Sequence, residues 1–423
     1  MLLFNQWRQR HSLVFLCFCA VFVCYIDRVN ISVAIIPMAE EYGWDAGLQG
    51  IILSCFYFGY MVTQFLGGYL ADKFGGKLVL AVGVLWWSAF TILTPHAATM
   101  GIGMLIAIRV LMGMGEGVTF PSIYALYSKW VPTAERSRSM ALTNSGIPIG
   151  QVAALLVAPY IALNYGWQWI FYIFGSVGAI WFVFWYRTVA SAPAVHPSVS
   201  DSEVEEIASD MPAQASAGSS ETSIWDFARS KPVWAIVVAH FCNNWSLYVL
   251  LSWLPSFVTK GLGVDFANSG IVSMVPHLVS FIFLNVAGNV ADRMVKSGMG
   301  ITKVRKTCQT IGFAGIACAL FVVGEADSAW LAITIMCVGN AVGAFVTGGF
   351  AVNHMDIAPN HAGKLMGITN TFATIPGIIG VTVSGYILEV TGSWALVFQV
   401  AGGVTVFGMI FYLLFASGEK QFD

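Results

Sequence analysis

Residues 109–121 read RVLMGMGEGVTFP and place an arginine and a glutamate inside an apolar segment. Arg109 and Glu116 are seven residues apart, so in a helix they share one face, about two turns from each other. A charge at the centre of a bilayer costs roughly 2.5–3.5 kcal/mol on insertion scales, and such residues are usually functional. The three glycines leave room for a neighbouring helix or a ligand to approach closely, and Pro121 predicts a kink. The stretch therefore predicts a membrane helix that carries an ionisable pair.

The composition of the whole chain agrees with a lipid environment. The 423 residues are 57% hydrophobic and only 10% charged, and the mean hydropathy is +0.74, whereas soluble domains carry about 25% charged residues. The net charge of −2 and the lack of a basic run argue against a nucleic-acid partner. The eight cysteines form no CxxC or zinc spacing, so we interpret them as small hydrophobes in membrane helices. We predict neither a metal nor a cofactor.

Twelve segments are long and apolar enough to cross a bilayer. The first apolar run, Ser12 to Ile36, is too long for a signal-peptide core, and we interpret it as a retained span. Most lysines and arginines fall on the side that both termini share, which predicts that both termini are cytoplasmic. The membrane is then expected to be a plasma membrane or a bacterial inner membrane. The predicted spans are 13–36, 47–71, 78–95, 99–124, 139–163, 168–187, 233–258, 268–291, 307–324, 329–352, 364–388 and 394–416.

Residues 188–231 are acidic, rich in Ser, Ala and Pro, and without apolar periodicity, which predicts a cytoplasmic linker of low order. The linker separates an N-terminal six-helix bundle (1–187) from a C-terminal one (232–423). The two halves also resemble each other, since GGYLADKFGGK at 67–77 is echoed by AGNVADRMVKSG at 287–298. Two parallel six-span repeats that meet at a midplane site are typical of one transporter class. We therefore predict an all-α membrane protein of two pseudo-symmetric six-helix bundles.

The turn after the second span and its echo carry adjacent acidic and basic residues, Asp72–Lys73 and Asp292–Arg293. An acid at a helix end can pair with a basic residue or with the N-terminus of a neighbouring helix. We interpret these four residues as a conformational latch. A solvated turn with an incidental acid is the alternative.

Four formally charged residues lie well inside the predicted spans: Asp27, Arg28, Arg109 and Glu116. Unpaired, they would cost on the order of 10 kcal/mol, so each is expected to be paired or hydrated. We expect Arg109 to pair with Glu116, and Asp27 to point to a different face from its neighbour Arg28. Arg28 is then left to bind an anion through its guanidinium fork. Glu116 is the first candidate for carrying a coupling proton, and Asp27 is the second or a cation ligand. A purely structural ion-pair cluster is the alternative.

Polar residues without formal charge complete the candidate site. Tyr25 and Tyr60 could offer hydroxyl groups to an anion, although core or interfacial aromatics are the alternative interpretation. The second half has no buried formal charge, but Asn243 and Asn370 are small and polar enough to line a cavity. A structural role is the commoner one for its histidines, among them His240 and His354.

Several blocks of the sequence carry a family resemblance: CYIDRVNISVAIIPMAEEYGW (24–44), the 109–121 stretch, SKWVPTAERSRS (128–139), AVNHMDIAP (351–359) and GITNTFATIPG (367–377). With the 67–77 loop, they resemble the anion:cation symporters of the major facilitator superfamily, in particular the solute carrier 17 and plant phosphate transporter 4 branches. The resemblance implies transport of phosphate or an organic acid, coupled to H⁺ or Na⁺. It also implies anion binding at Arg28 and proton coupling at Glu116. Asn243 stands where vesicular glutamate carriers have arginine, which favours a singly charged acid or phosphate.

Together these observations predict a monomeric secondary transporter that moves a small anion across the bilayer by alternating access. A same-fold exporter of cationic or neutral drugs is the alternative, and it would need buried acids without a spare arginine. An ion channel would need repeated pore-lining rings, and an enzyme would need a metal or nucleophile constellation. The sequence displays neither pattern.

Overall fold

The computed structural model describes residues 8–210 and 224–422. The described ranges exclude nine side chains, those of Phe65, Asp72, Thr133, Ala134, Ser137, Asp210, Ile224, Asn285 and Asn360. The helices in chain order are α1 Gln9–Tyr42, α2 Ala46–Phe74, α3 Gly76–Met100, α4 Ile102–Glu116, α5 Thr119–Trp130, α6 Thr133–Asn144, α7 Gly146–Tyr165, α8 Gln168–Thr188, α9 Asp201–Asp210, α10 Ile224–Arg229, α11 Lys231–Ser256, α12 Phe266–Lys296, α13 Ile301–Val323, α14 Ala329–Gly343, α15 Phe350–Ile357, α16 Ala362–Thr391 and α17 Trp394–Phe415.

The helical segments confirm the predicted fold class. Twelve of them are long and apolar enough to cross a membrane, and each overlaps one predicted span. The described part of the chain contains no strand. This arrangement satisfies the backbone hydrogen bonds inside each segment, as a bilayer requires. The chain is a multi-pass, all-α membrane protein.

The fourth span is broken where its proline predicts a kink. Helix α4 ends at Glu116, and α5 begins at Thr119 after a turn at Gly117 and Val118. In an unbroken helix the ring of Pro121 would clash with the carbonyl group of Gly117, four residues earlier. The break therefore lies one turn before the proline, and Glu116 is the last residue of its helix.

The glycines of the 109–121 stretch lie against neighbouring helices, as predicted. A Cβ atom on Gly113 would lie 2.9 Å from the backbone nitrogen of Tyr60 on α2, and one on Gly115 would lie 2.9 Å from that of Trp87 on α3. Any larger residue would force these helices apart. The short side chains thus bring α2 and α3 close to the charged face of α4.

Part of the predicted linker is ordered, in contrast to the expectation of low order. Helix α9 begins after Ser200, whose hydroxyl accepts from the backbone N–H of Glu203 at 3.3 Å. Ser200 thus caps the N-terminus of α9. Glu203 in turn accepts from the backbone N–H of Arg10 at 3.1 Å, while Arg10 binds Glu135 and Glu206. Tertiary contacts with the start of α1, which composition does not reveal, hold this helix.

The chain divides into two compact units. Unit 1 comprises Met1–Ala34 and Cys55–Ala217, and unit 2 comprises Ile35–Ser54 and Gly218–Asp423. The end of α1 and the start of α2 are thus grouped with the second half. In unit 1, α3 packs against α4 and α8; in unit 2, α11 packs against α16 and α17. The predicted domain boundaries at 187 and 231 stay a prediction.

Candidate functional site

A buried ion pair joins α1 to the end of α4 in unit 1. The Nη2 and Nε atoms of Arg28 lie 2.9 and 3.2 Å from Oε2 of Glu116, so the guanidinium donates two hydrogen bonds to one carboxylate oxygen. Glu116 is 0% exposed and Arg28 is 5% exposed. The small accessible surface of the pair therefore belongs to the cation.

The partner of Glu116 differs from the one predicted, because Arg109 forms no salt bridge within the described part of the chain. Arg109 instead donates to Sδ of Met112 at 3.2 Å, and its Nε atom is buried without a hydrogen-bond partner among the described residues. On a helix face the nearest neighbours are three or four residues apart, and Arg109 contacts Met112 at that spacing rather than Glu116. Seven residues also separate the two by about 10.5 Å along the axis. Sharing a face is not enough for contact at that spacing.

Three aromatic rings surround the guanidinium of Arg28. Its Cζ atom lies 4.7 Å from the ring centroid of Tyr25, 4.8 Å from that of Tyr60 and 5.2 Å from that of Phe56. These distances are within the range of cation–π attraction. Both predicted tyrosines are thus brought to Arg28. Phe56 was not predicted, although it lies one helical turn from Tyr60.

Cys24 is a further member of the site that the sequence analysis did not identify. Its thiol donates to Oε2 of Glu116 at 3.1 Å, and Nη2 of Arg28 lies 3.7 Å from its sulfur atom. The only signal in the sequence is its position one turn before Arg28 on α1. The other carboxylate oxygen of Glu116, Oε1, is buried with no hydrogen-bond partner among the described residues.

Asp27 lies on another face of α1, as expected from its adjacency to Arg28. It is 0% exposed, and its Oδ2 atom accepts from the indole N–H of Trp87 at 3.1 Å. Its Oδ1 atom has no hydrogen-bond partner in the described part of the chain. Trp87 lies on α3, and a tryptophan in an apolar helix gives no sequence signal for this role.

Unit 2 contains a polar cluster without formal charge. The hydroxyl of Thr369 lies 2.9 Å from Nε2 of His354 and 3.3 Å from Nδ1 of His240, so one hydroxyl bridges two imidazoles from α15 and α11. Which atoms donate depends on the tautomers of the two rings. The predicted residue Asn243 is half-buried on α11 and donates to Asn244 at 3.3 Å. Asn370 is half-buried beside Thr369 on α16. Sequence reasoning did not identify Thr369.

The predicted latch residues lie at helix ends. The Nζ atom of Lys73 is 5.3 Å from the ring centroid of Phe74 and 5.7 Å from that of Tyr69. Asp292 and Arg293 are exposed near the end of α12 and form no salt bridge with any described residue. The side chain of Asp72 lies outside the described residues, so its pairing stays a prediction.

A sequence profile of the Major Facilitator Superfamily matches residues 17–381. The chain belongs to the major facilitator superfamily. It is 41% identical over 421 residues to a chloroplastic ascorbate transporter of Arabidopsis thaliana, covering 99% of this chain and 77% of that protein. It is also 41% identical over 420 residues to the chloroplastic sodium-dependent phosphate transport protein 1 of the same plant, covering 99% and 81%. Sialin of Homo sapiens is 37% identical over 446 residues, covering 97% and 90%.

Solved structures of major facilitator proteins share the fold. The crystal structure of a D-xylose-proton symporter has a TM-score of 0.75 and 18% identity, and the match covers 97% of this chain and 99% of that one. A bacterial homologue of the lysosomal transporter Spinster, in its inward-facing and occupied conformation, has a TM-score of 0.74, with 97% of each chain covered. At such low identity the likeness concerns the fold alone.

These relatives confirm the resemblance to the anion:cation symporters of the major facilitator superfamily. The chain is a membrane transport protein and not an enzyme, since the superfamily and the relatives are transporters. Proteins named for ascorbate and for phosphate share the same 41% identity with it. Overall sequence similarity therefore does not identify the transported anion, which depends on the residues of the site.

Proposed function

We propose that this major facilitator protein moves a small, singly charged organic acid or phosphate across a membrane, coupled to H⁺ or Na⁺, by alternating access. The observation that carries the proposal is the buried pair of Arg28 and Glu116. In this pair the guanidinium of Arg28, which is suited to bind an anion, is already bound to the carboxylate of Glu116, which is suited to bind a proton. Loading of the two ligands is then mutually dependent.

The dependence follows from the charge of the pair. Arginine stays protonated in proteins, so Arg28 and an ionised Glu116 are together neutral. Binding of an anion alone would leave one excess negative charge in a buried site, and binding of a proton alone would leave one excess positive charge. A buried unpaired charge costs several kcal/mol. Binding of both ligands restores neutrality, so the doubly loaded and the empty sites are the favoured states.

Arg28 is suited to hold the anion once Glu116 is neutral. Its Nε and Nη2 atoms then lose an ionic acceptor and can bind a carboxylate or a phosphate oxygen through the same fork. The rings of Tyr25, Phe56 and Tyr60 hold the guanidinium in place while its partner changes. Cys24 can donate its thiol hydrogen to whichever acceptor remains.

The second arginine and the second acid have supporting roles in this proposal. Arg109 contacts the ring of Phe56 at 5.3 Å from its centroid, as Arg28 does at 5.2 Å, and contributes fixed positive charge near Glu116. Asp27 is the second candidate for the coupling ion, through its Oδ1 atom, which accepts no hydrogen bond from the described residues.

Asn243 and Asn370 are proposed to contact the uncharged part of the substrate, with Tyr25 and Tyr60 as hydroxyl donors. Amides and hydroxyls both donate and accept, which suits an organic acid with hydroxyl groups or a phosphate.

We propose further that both termini are cytoplasmic, because most lysines and arginines lie on their side. A monomer is proposed as the transporting unit, with Asp72–Lys73 and Asp292–Arg293 as its latch.

Uptake into proteoliposomes tests the function. Purified protein is reconstituted, and phosphate, ascorbate, glutamate, sialic acid and a sugar acid are offered under an imposed H⁺ gradient, an imposed Na⁺ gradient or neither. We expect saturable accumulation of at least one anion under one gradient, and none in protein-free liposomes. Gradient-driven transport of organic cations that no anion inhibits would instead establish the drug-exporter alternative.

A further inference from the structure

Unit 2 contains a basic groove that the transport site does not use. It lies between the first turns of α13 and the chain that follows α17, and its volume is about 1030 Å³. Three lysines line it, Lys303 and Lys306 from α13 and Lys420 from the C-terminal tail, together with the carboxylate of Glu419. The lining therefore carries a formal excess of two positive charges.

The groove is a built feature, because the tail that forms one wall is fixed to unit 2 at several points. The backbone N–H of Gly418 donates to the hydroxyl of Thr302 at 2.8 Å. Beyond it, the N–H groups of Gln421 and Phe422 both donate to the carbonyl oxygen of Ile357, at 2.8 and 3.0 Å. The ring of Phe422 packs against Phe227 with centroids 4.7 Å apart.

Gly418 allows the close approach of the tail to α13. A Cβ atom at this position would lie 2.7 Å from Cγ2 of Ile301 and 2.7 Å from the backbone nitrogen of Thr302. Real Cβ atoms do not approach other atoms so closely, so a larger residue would displace the tail. The shape of the groove thus depends on one glycine.

The electrostatics of the first turn of α13 favour an anion in the groove. The N-terminus of a helix carries a partial positive charge and usually attracts acidic residues. In α13 the first turn contains no acidic residue, and the N-cap residue, Gly300, has no side chain that could accept from the backbone N–H groups. Lys303 adds a further positive charge. A phosphate group in the groove would meet both the helix end and the lysine ammonium groups.

The other end of the groove is apolar, and this selects the kind of anion. Ile311 and Leu413 line it and are exposed, so they face the surroundings of a membrane helix. Lys303 and Ile311 are eight residues apart on α13, a distance of about 12 Å along the axis. The groove therefore carries cations beside the first turn of α13, and its apolar surface extends to Ile311, about 12 Å further along that helix.

We propose that this groove binds one anionic phospholipid, with the phosphate among Lys303, Lys306 and Lys420 and the upper acyl chain along Ile311 and Leu413. Basic pockets at the end of membrane helices are suited to acidic headgroups. A soluble phosphate could contact the lysines but would leave the apolar end uncovered. The lipid covers both.

Native mass spectrometry of the full-length protein, with phosphatidylglycerol and phosphatidylcholine as probes, tests the proposal. The triple variant Lys303→Gln/Lys306→Gln/Lys420→Gln removes the cations from the groove. Each lysine near an anionic lipid contributes roughly fivefold in affinity, so we expect phosphatidylglycerol to bind on the order of 100-fold more weakly at one site. Phosphatidylcholine binding is expected to stay unchanged.

The matched control removes three exposed lysines elsewhere, Lys129→Gln/Lys231→Gln/Lys296→Gln, with the same change in net charge. It is expected to bind phosphatidylglycerol as the parent protein does. Gly418→Val, which displaces the tail but keeps every charge, is expected to weaken the same site. Equal loss in the triple variant and the control would overturn the proposal, as would displacement of the lipid by inorganic phosphate at equal concentration.

Discussion

The two units solve the problem of polar groups in a membrane in different ways. Unit 1 buries ions: Arg28 and Glu116 form a salt bridge, Asp27 binds an indole N–H, and Arg109 binds a thioether. Unit 2 buries neutral groups, with a threonine hydroxyl bridging two imidazoles. No aspartate, glutamate, lysine or arginine among the described residues of unit 2 is fully buried.

The difference indicates that the two units have different roles in transport. A site that must change its charge needs an ionisable pair whose partners can be exchanged. Among the described residues the fully buried pair, Arg28 and Glu116, lies in unit 1, whereas the Arg305–Asp356 pair of unit 2 is partly exposed, at 13% for each side chain. The cluster of Thr369 with His240 and His354 holds no carboxylate and no permanent cation, but it can distinguish substrates by their donors and acceptors. We infer that coupling resides in unit 1 and that discrimination between anions depends more on unit 2.

The largest expected effect comes from removal of the cation of unit 1. In Arg28→Ala, substrate uptake into proteoliposomes should fall by roughly 150-fold or more, because a buried carboxylate and a buried anion site lose a contact worth about 3 kcal/mol. Arg187→Ala removes an exposed arginine at the end of α8 and should leave uptake unchanged. The double variant Arg28→Ala/Glu116→Gln removes both charges and should restore thermal stability but not uptake. Normal uptake by Arg28→Ala would remove this residue from the mechanism.

The next effect separates coupling from binding. In Glu116→Gln the protonatable group is lost while the amide oxygen can still accept from Arg28. Exchange of internal for external anion should persist, within about threefold of the parent rate, since the amide keeps one of the contacts. Accumulation driven by a pH gradient should disappear. Glu325→Gln, an exposed control, should show both activities, and undiminished pH-driven accumulation in Glu116→Gln would assign coupling elsewhere.

The environment of Asp27 offers a smaller test within unit 1. Trp87→Phe removes the indole donor and keeps the carboxyl group, and it should lower the free energy of unfolding by about 1–3 kcal/mol because the carboxylate loses its hydrogen bond. The ratio of transported anion to proton should not change in Trp87→Phe.

Asp27→Asn should reduce pH-driven accumulation less than Glu116→Gln does. An equal or larger reduction would make Asp27 the principal proton carrier.

The smallest expected effect lies in unit 2. Thr369→Val keeps the shape of the side chain but removes the hydroxyl between His240 and His354. The KM for the transported anion should rise by up to about tenfold, as expected for loss of one or two hydrogen bonds, with unaltered coupling. Thr334→Val, the same change at an exposed position of α14, should be neutral. Loss of coupling in Thr369→Val would contradict the different roles of the two units.

The identities of the site residues could be predicted from sequence, but their pairing could not. Charged residues inside apolar segments are rare enough to be noticed individually, so their positions in the predicted spans identify Asp27, Arg28, Arg109 and Glu116. Their partners depend on which helices are adjacent and on how each side chain leans. For this reason the sequence predicts Arg109, on the same helix, as the partner of Glu116, whereas Glu116 binds Arg28 on α1. Neutral partners such as Trp87 and Thr369 gave no signal, because their residue types are ordinary in membrane helices.

The sequence by itself determined that this protein spans a membrane twelve times and buries four charges in its first half. Those properties follow from transfer free energies, which each residue carries wherever it lies. Only the tertiary structure decided that Arg28 and Glu116 are partners, that three aromatic rings enclose the guanidinium, and that part of the predicted linker is a helix held against the start of α1. Each of these depends on distances between helices that are remote along the chain, and those distances are set by packing of small residues such as Gly113 and Gly115.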